Sequence, residues 1–126
     1  MKVNGTQYRT IWVRDDGWRV NVIDQTQLPH NFKISTLETA DDAARAISTM
    51  MVRGAPLIGA TAAYGICLGM REDASDGGLD RVCELLEHTR PTAINLRWGI
   101  HEMRRVLGNI ERKFRVDTAY THASNM

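Results

Sequence analysis

A corner between two predicted helices, at Met51–Ala60, restricts the fold more than any other segment of this chain. Apolar side chains recur at helical spacing from Ala40 to Val52, which predicts a helix with one buried stripe. Gly54 stands where a left-handed C-cap is favoured, and Pro56 stands where a first-turn proline loses no hydrogen bond. The segment therefore predicts that one helix ends and another begins within a few residues.

This corner has the chemistry of a small anion site. Arg53 carries a fixed positive charge beside the unpaired N–H groups of a new helix, whose dipole also favours negative charge. Gly54 and Ala55 add no bulk, so a ligand could approach the backbone closely. Arg90-Pro91 precedes a further helical pattern that begins at Thr92 and forms a second corner of the same kind.

Two arginines at two helix starts suit a dianionic group such as a phosphate monoester, because a guanidinium offers paired, planar donors. The alternative is that Arg53 and Arg90 are ordinary helix-end residues in surface ion pairs. The spacing by itself favours this second interpretation, since surface arginines are common.

Three segments carry a resemblance to a known family: Asp24-Gln25-Thr26-Gln27-Leu28-Pro29, Arg53-Gly54-Ala55-Pro56-Leu57-Ile58-Gly59 and Arg90-Pro91-Thr92-Ala93-Ile94-Asn95-Leu96-Arg97-Trp98. In this order they resemble the N-terminal part of the methylthioribose-1-phosphate isomerase family. That family is related to the regulatory subunits of translation initiation factor 2B. The resemblance covers residues 8 to 114, but only about the first third of a full-length family member.

The resemblance implies an α+β fold, with a small N-terminal antiparallel sheet followed by a helical bundle. The family's C-terminal Rossmann-like domain would be absent from this chain. It carries the catalytic cysteine, in a Thr-His-Cys-Asn segment, and the catalytic aspartate. The tail Thr121-His122-Ala123-Ser124-Asn125 is not a version of that segment, because it lacks the cysteine and comes too early. No catalytic residue is therefore expected here, and the chain alone is expected to be inactive.

The implied reaction is the aldose–ketose isomerisation of methylthioribose 1-phosphate in methionine salvage, without cofactor or metal. The resemblance implies that Arg53, Gly54, Ala55 and Arg90 bind the sugar phosphate. It also implies a homodimer at full length and a separate C-terminal catalytic domain. Two alternatives stay open: an isomerase for ribose 1,5-bisphosphate or 5-deoxyribose 1-phosphate, and a non-catalytic regulatory protein resembling initiation factor 2B.

Composition is that of an ordinary globular domain, with 43% hydrophobic and 25% charged residues among 126. The formal net charge is +1, and acidic residues interleave with basic ones, which argues against a nucleic-acid-binding face. The longest apolar stretch, Ala55 to Met70, is too short and too rich in glycine to span a membrane.

Neither the cysteines nor the histidines suggest a metal or redox site. Cys67 and Cys83 fall on apolar helical positions and are expected to be small buried hydrophobic residues, which fits a reducing cytoplasm. The four histidines have no ligand spacing to one another or to cysteine, so we expect none to bind metal: His30, His88, His101 and His122. Asp24 is expected to hold the chain at the end of a strand through local backbone bonds rather than to act in catalysis.

The first 37 residues are expected to form the sheet. Alternating and β-branched residues predict strands at Tyr8–Arg14, Trp18–Ile23 and Phe32–Ser35, with Asp15-Asp16-Gly17 as a hairpin turn. Trp18, Val20 and Val22 should share one face of the sheet.

Residues 38–117 are expected to be helical. Thr39 is a predicted N-cap, and four-residue spacings of glycine and alanine from Gly59 to Gly69 predict a closely packed helix. A further short helix is expected over Leu79–His88. An apolar seam from Leu96 to Phe114 predicts a single long helix, and residues 118–126 are expected to be a linker or a frayed tail leading to the missing domain.

Overall fold

The computed structural model describes residues 2–3, 6–7, 10–27, 33–49, 51–52, 54–90 and 93–125. Within these ranges it confirms the α+β expectation, since a three-stranded antiparallel sheet precedes five α-helices. The division of the chain into domain and linker stays a prediction.

Two of the three predicted strands, those before and after the hairpin turn, are shorter than expected, and the third extends two residues beyond the predicted Ser35, while its predicted first residue, Phe32, lies outside the described residues. The strands are β1 Lys2–Val3, β2 Thr6–Gln7, β3 Ile11–Val13, β4 Val20–Ile23 and β5 Ile34–Leu37. The pair β1–β2 is a separate two-stranded sheet that the pattern does not predict. The main sheet has the order β3-β4-β5, with Trp12 opposite Asn21 and Asn21 opposite Thr36.

The predicted hairpin turn before β4 is confirmed. Gly17 has φ 83°, a conformation that side-chain-bearing residues rarely adopt. The Asp16 carboxylate accepts hydrogen bonds from the N–H groups of Trp18 and Arg19, both at 3.0 Å. The turn leads into β4, where Val20 and Val22 are fully buried against the helices.

Five helices follow the sheet: α1 Ala40–Ser48, α2 Ala55–Glu72, α3 Asp76–Glu87, α4 Ile94–Leu107 and α5 Arg115–Ser124. The N-cap prediction for Thr39 is confirmed, because its hydroxyl accepts from the Asp42 N–H at 3.1 Å while the Asp42 carboxylate accepts from the Thr39 N–H. The helix α3 begins three residues earlier than expected, since Ser75 caps it through the Gly78 N–H.

The central element is α2, and the predicted close packing of its small residues is confirmed. A Cβ at Gly65 would lie 2.9 Å from the Ala43 Cβ of α1, and one at Gly69 would lie 2.6 Å from a Val82 methyl of α3. Neither glycine could carry a side chain without displacing a neighbouring helix.

The prediction of one helix from Thr92 to Phe114 is wrong. The helix α4 ends at Leu107, and a turn followed by a short 3-10 segment at Arg112–Phe114 separates it from α5. The apolar spacing continues past the break because both elements pack on the same core, but Gly108 and Asn109 favour a turn. Phe114 is consequently half-exposed instead of lying on a seam.

The expectation of a frayed tail is also wrong over residues 118–125. These residues form most of α5, in which Ala119 and Ala123 are buried against the core. The Tyr120 hydroxyl donates to the Trp18 carbonyl oxygen at 2.7 Å, which ties α5 to the sheet. Polar composition suggested a tail, but small residues four positions apart are also what a packed helix requires.

Candidate functional site

The first predicted corner is the N-terminus of α2. Gly54 is the N-cap residue, with φ 96° and ψ 132°, and Pro56 lies in the first turn as predicted. The C-cap role assigned to Gly54 is wrong, since α1 ends at Ser48 with Thr49 as its C-cap. The prediction that this position needs a positive φ holds for a different reason: the chain here enters a helix rather than leaving one.

Arg53 lies outside the described residues, but the residues on either side of it in sequence are well anchored. Val52 is fully buried and its N–H donates to the Ala46 carbonyl oxygen at 3.3 Å. The Gly54 carbonyl oxygen accepts from the Ile58 N–H at 3.0 Å. Ala55 is the first residue of α2.

The second predicted corner is the N-terminus of α4. The helix begins at Ile94 with Ala93 as its N-cap, and the Ala93 N–H donates to the Arg90 carbonyl oxygen at 2.9 Å. Arg90 is half-buried. Among the residues that the structure describes, its guanidinium has no hydrogen-bonding or ion-pairing partner.

The packing brings the two helix starts to the same end of the bundle. Gly69 and Val82 pair α2 with α3 in an antiparallel sense, as do Gly65 and Leu86. Ion pairs from Arg104 to Asp80 and from His101 to Glu87 pair α3 with α4, again antiparallel. The helices α2 and α4 therefore run in the same direction.

The helices α2 and α4 meet backbone to backbone near these starts. A Cβ at Gly59 would lie 3.1 Å from the Asn95 carbonyl oxygen, and a Cβ at Gly99 would lie 2.7 Å from the Gly59 carbonyl oxygen. Gly59 follows the Gly54 N-cap by five residues, about 7.5 Å of helix, and Asn95 lies in the first turn of α4. The two N-termini are thus close neighbours.

Neither N-terminus is capped by its own N-cap side chain. Gly54 and Ala93 have no side-chain oxygen that could accept a hydrogen bond, whereas Thr39 and Ser75 cap α1 and α3 with their hydroxyl groups. Two adjacent helix starts of this kind, with a half-buried arginine at one of them, form an environment that favours a bound anion.

The resemblance segment that begins at Asp24 also reaches this end of the molecule. Asp24 is 5% exposed, and its carboxylate accepts from the Thr26 N–H at 2.9 Å and from the Thr26 hydroxyl at 2.5 Å. Next to it, the Gln25 N–H donates to the Met51 carbonyl oxygen at 2.9 Å. The bond from the Thr26 N–H to Asp24 is the local backbone bond that the sequence predicts, whereas the hold of the turn Gln25–Gln27 on the loop that leads into α2 is not predicted.

The cysteines are buried structural residues, as predicted. Burial raises the pKa of Cys67 far above its ordinary range and raises that of Cys83 to about 11. Neither thiol faces the helix starts as an ionised nucleophile. Ala123, in the tail that the sequence analysis distinguishes from the family's cysteine segment, is buried in α5.

Sequence reasoning missed two features that build this site. The Gly59–Gly99 crossing sets the separation of the two helix starts. The small-residue spacing that includes Gly59 predicts close packing, but it does not indicate that the partner is Gly99 of α4. The contact between Gln25 and Met51 has no local signal, because 26 positions separate the two residues.

Comparison with known proteins extends over the whole chain. It is 52% identical over 126 residues to a methylthioribose-1-phosphate isomerase of Paramagnetospirillum magneticum, and 54% identical over 125 residues to that of Acidiphilium cryptum. These alignments cover 100% and 98% of this chain but 35% and 34% of the relatives. The chain thus spans about a third of the length of the curated relatives it matches. No protein-family profile matches the sequence.

Two solved structures share the fold. A 5-methylthioribose 1-phosphate isomerase of Pyrococcus horikoshii superposes with a TM-score of 0.83 at 29% identity, covering 93% of this chain and 35% of its own. The delta subunit of translation initiation factor eIF-2B from A. fulgidus superposes with a TM-score of 0.84 at 31% identity, covering 94% and 36%. These matches confirm the family resemblance that the three sequence segments indicate.

Proposed function

Because its whole length is homologous to part of the methylthioribose-1-phosphate isomerases, we propose that this chain forms the sugar-phosphate-binding portion of such an enzyme. The observation that carries the proposal is the convergence of two helix N-termini, at Gly54 and Ala93, beside Arg90, whose guanidinium has no partner among the described residues. Arg53, the backbone of Gly54 and Ala55, and Arg90 would hold the phosphate.

The chemistry explains why a rigid anion site matters. In the isomerisation of methylthioribose 1-phosphate, the bond between C1 and the ring oxygen breaks. The hydrogen of C2 moves to C1, the C2 hydroxyl becomes a carbonyl and the ring oxygen gains a proton. The phosphate stays on C1 throughout, so holding it positions the reacting carbons, and such positioning lowers the barrier by several kcal/mol.

The proton-transfer groups would come from outside this segment. The two cysteines are buried with raised pKa values, and Asp24 is occupied by Thr26. We therefore propose that this chain acts together with a catalytic domain and is inactive on its own. The full-length protein would be a homodimer in the cytoplasm.

A second candidate is a regulatory role, favoured by the similarity to the eIF-2B delta subunit. The curated relatives at 52–54% identity carry the isomerase name, which favours the enzyme, whereas the two solved structures, at 29% and 31%, do not separate the two candidates. A related isomerase acting on ribose 1,5-bisphosphate or 5-deoxyribose 1-phosphate would use the same two corners, and differs in what surrounds C5 of the sugar.

Calorimetric titration of this chain with methylthioribose 1-phosphate, inorganic phosphate and ribose 1,5-bisphosphate tests the proposal. We expect selective binding of the methylthio sugar phosphate. The Arg90→Ala variant should bind about 10- to 100-fold more weakly, since a charge-assisted hydrogen bond is worth about 1.5–3 kcal/mol. Arg53→Ala should behave in the same way.

Arg97→Ala is the matched control, because Arg97 is an exposed arginine of α4 that also lacks a partner among the described residues. Its affinity should be unchanged. Equal loss in Arg97→Ala, or no binding by a folded sample, contradicts the proposed site. Tighter binding of ribose 1,5-bisphosphate would point to the related isomerase.

A further inference from the structure

The outer face of α4 carries two large apolar side chains in water. Ile94 is 73% exposed and Trp98 is 57% exposed, and they lie one helical turn apart. Leu96, Ile100 and Met103 point the opposite way, into the core. Most other large apolar side chains in the described part of the chain are buried or half-buried, so this exposed pair stands out as a surface that a partner could cover. Ile94 and Trp98 together are called the α4 outer face.

The α4 outer face lies close to the end of α5, so a segment that follows α5 could cover it. The helix α5 runs antiparallel to α4: Arg115 at its start donates to the Leu107 carbonyl oxygen, and His122 near its end lies 3.2 Å from the Glu102 carboxylate. Glu102 is one turn beyond Trp98. In a protein that continues after α5, the following segment emerges beside the half of α4 that carries the exposed pair.

The size of the face argues in the same direction. Two side chains are far too little for an independent association, since a specific protein–protein interface buries about 800 Å² on each partner. A domain joined by the chain itself needs much less, because a short linker keeps it at an effective concentration of about the millimolar range. The curated relatives contain almost twice as much further chain as this segment, so they have such a domain to place here.

We propose that Ile94 and Trp98 form the docking surface for the domain that completes the fold in the longer relatives. That domain would then lie against the helix whose N-terminus holds Arg90. The inference rests on the proposed function only in that the chain acts with a second domain; it does not depend on which sugar phosphate is bound.

Cysteine labelling of Ile94→Cys tests the proposal. The chain is compared with a chimera in which it replaces the matching third of the Paramagnetospirillum magneticum relative. In the isolated chain the buried Cys67 and Cys83 leave the background low. The chimera without the substitution is labelled in parallel and its reaction is subtracted, because the resemblance implies a catalytic cysteine in its second domain. We expect Ile94→Cys to react rapidly with a thiol reagent in the isolated chain and at least about tenfold more slowly in the chimera, because a docked surface reacts only when it opens.

Phe114→Cys is the matched control, since Phe114 is 52% exposed and lies away from the α4 outer face, at the other end of that helix. It should react at similar rates in both proteins. Equal labelling of Ile94→Cys in both overturns the proposal. Protection in the isolated chain that grows with its concentration overturns it as well, since a second copy would then be the occupant.

The isomerase activity of the chimera is measured separately and reports on the proposed function alone. A protected but inactive chimera would support the docking surface and weaken the function, and an active but unprotected one would do the reverse. If the chimera misfolds, cysteines are placed in the intact relative at the positions aligned with Ile94 and Phe114. The cysteine aligned with Ile94 should then react more slowly than the one aligned with Phe114.

Discussion

At the scale of single residues, Arg115 shows how one buried cation joins three helices. Its side chain is 5% exposed, and its guanidinium donates to the carbonyl oxygens of Leu107, Ile110 and Ala74 and to the Asp76 carboxylate, at 2.6 to 3.2 Å. A cation is favoured at the carbonyl end of α4 by the helix dipole. Arg115 therefore ties the turn between α4 and α5 to the start of α3.

Replacing Arg115 by alanine should lower the free energy of unfolding by about 2–4 kcal/mol, because buried carbonyl groups lose their donor. Arg112→Ala is the control, since Arg112 is 69% exposed and lies 3.8 Å from its Asp73 partner. It should change stability by less than about 0.5 kcal/mol. Urea unfolding of both variants measures the two changes in the free energy of unfolding. Equal changes would contradict a larger stabilising role for Arg115 than for an exposed arginine.

At the scale of elements, the structure depends on how closely helices approach one another. The helices α2 and α4 touch through Gly59 and Gly99, and this contact separates the two helix starts by a fixed distance. The helices α4 and α5 also meet through polar side chains: the Glu102 carboxylate of α4 lies 3.2 Å from His122 of α5 and is held at 2.5 Å by Arg105 of its own helix.

The Gly99→Ala variant should be destabilised by about 1–3 kcal/mol and should bind sugar phosphate more weakly, because the new methyl group would push α4 away from α2. Gly77→Ala is the matched control, since its methyl group would meet only the Ser75 hydroxyl, at 3.9 Å. Thermal unfolding and the calorimetric titration measure both effects. A fully stable Gly99→Ala with unchanged affinity would contradict the role of the crossing.

Acid should weaken the interactions that Glu102 makes with Arg105 of α4 and His122 of α5. The hydrogen bond from Arg105, and then its charge, lower the pKa of Glu102 below the usual 4.5. A carboxyl group with a lowered pKa in the folded state stabilises the fold above its unfolded pKa, and this contribution disappears as the pH falls through the folded value. Stability should therefore decline as the pH falls below about 4.5, and Glu102→Gln should show a shallower decline than wild type.

Glu84→Gln, an exposed carboxylate of α3, serves as the control in the same acid titration followed by circular dichroism. It should keep the wild-type slope. A Glu102→Gln variant with the wild-type slope would show that other acids, such as Asp73 with its lowered pKa, dominate acid unfolding.

At the scale of the whole molecule, one core joins the sheet to every helix. Its members come from β4, β5 and all five helices, with α2 in the middle. Within the described ranges no helix is long and apolar enough to cross a membrane. A single core of this kind should unfold in one cooperative step.

The two native thiols provide a measure of that cooperativity. Cys67 on α2 and Cys83 on α3 are fully buried with raised pKa values, so both should react with a thiol reagent only after global opening and at the same rate. The single variants Cys67→Ala and Cys83→Ala separate the two rates. A rapid reaction of one thiol under native conditions would show that α2 or α3 opens independently.

The class of the fold and the starts of α1 and α2 could be predicted from the sequence, whereas the roles of the site residues stay predictions. The hairpin at Gly17, the cap at Thr39 and the first-turn Pro56 depend on conformations within a few residues, and local patterns record such preferences. The two arginine corners were found for the same reason. Their assignment to sugar-phosphate binding came from the family resemblance and stays a prediction.

Only the tertiary structure decided which segments meet and where helices end. Nothing local indicates that Gln25 holds Met51, that Gly59 meets Gly99 or that Arg115 bridges three helices, because these contacts join distant positions. The long-helix and tail predictions failed in the same way: apolar spacing reports which residues face a core, but not whether the chain turns between them. Sequence determines local conformation through short-range sterics and hydrogen bonds, whereas the relative placement of elements is settled by packing across the whole core.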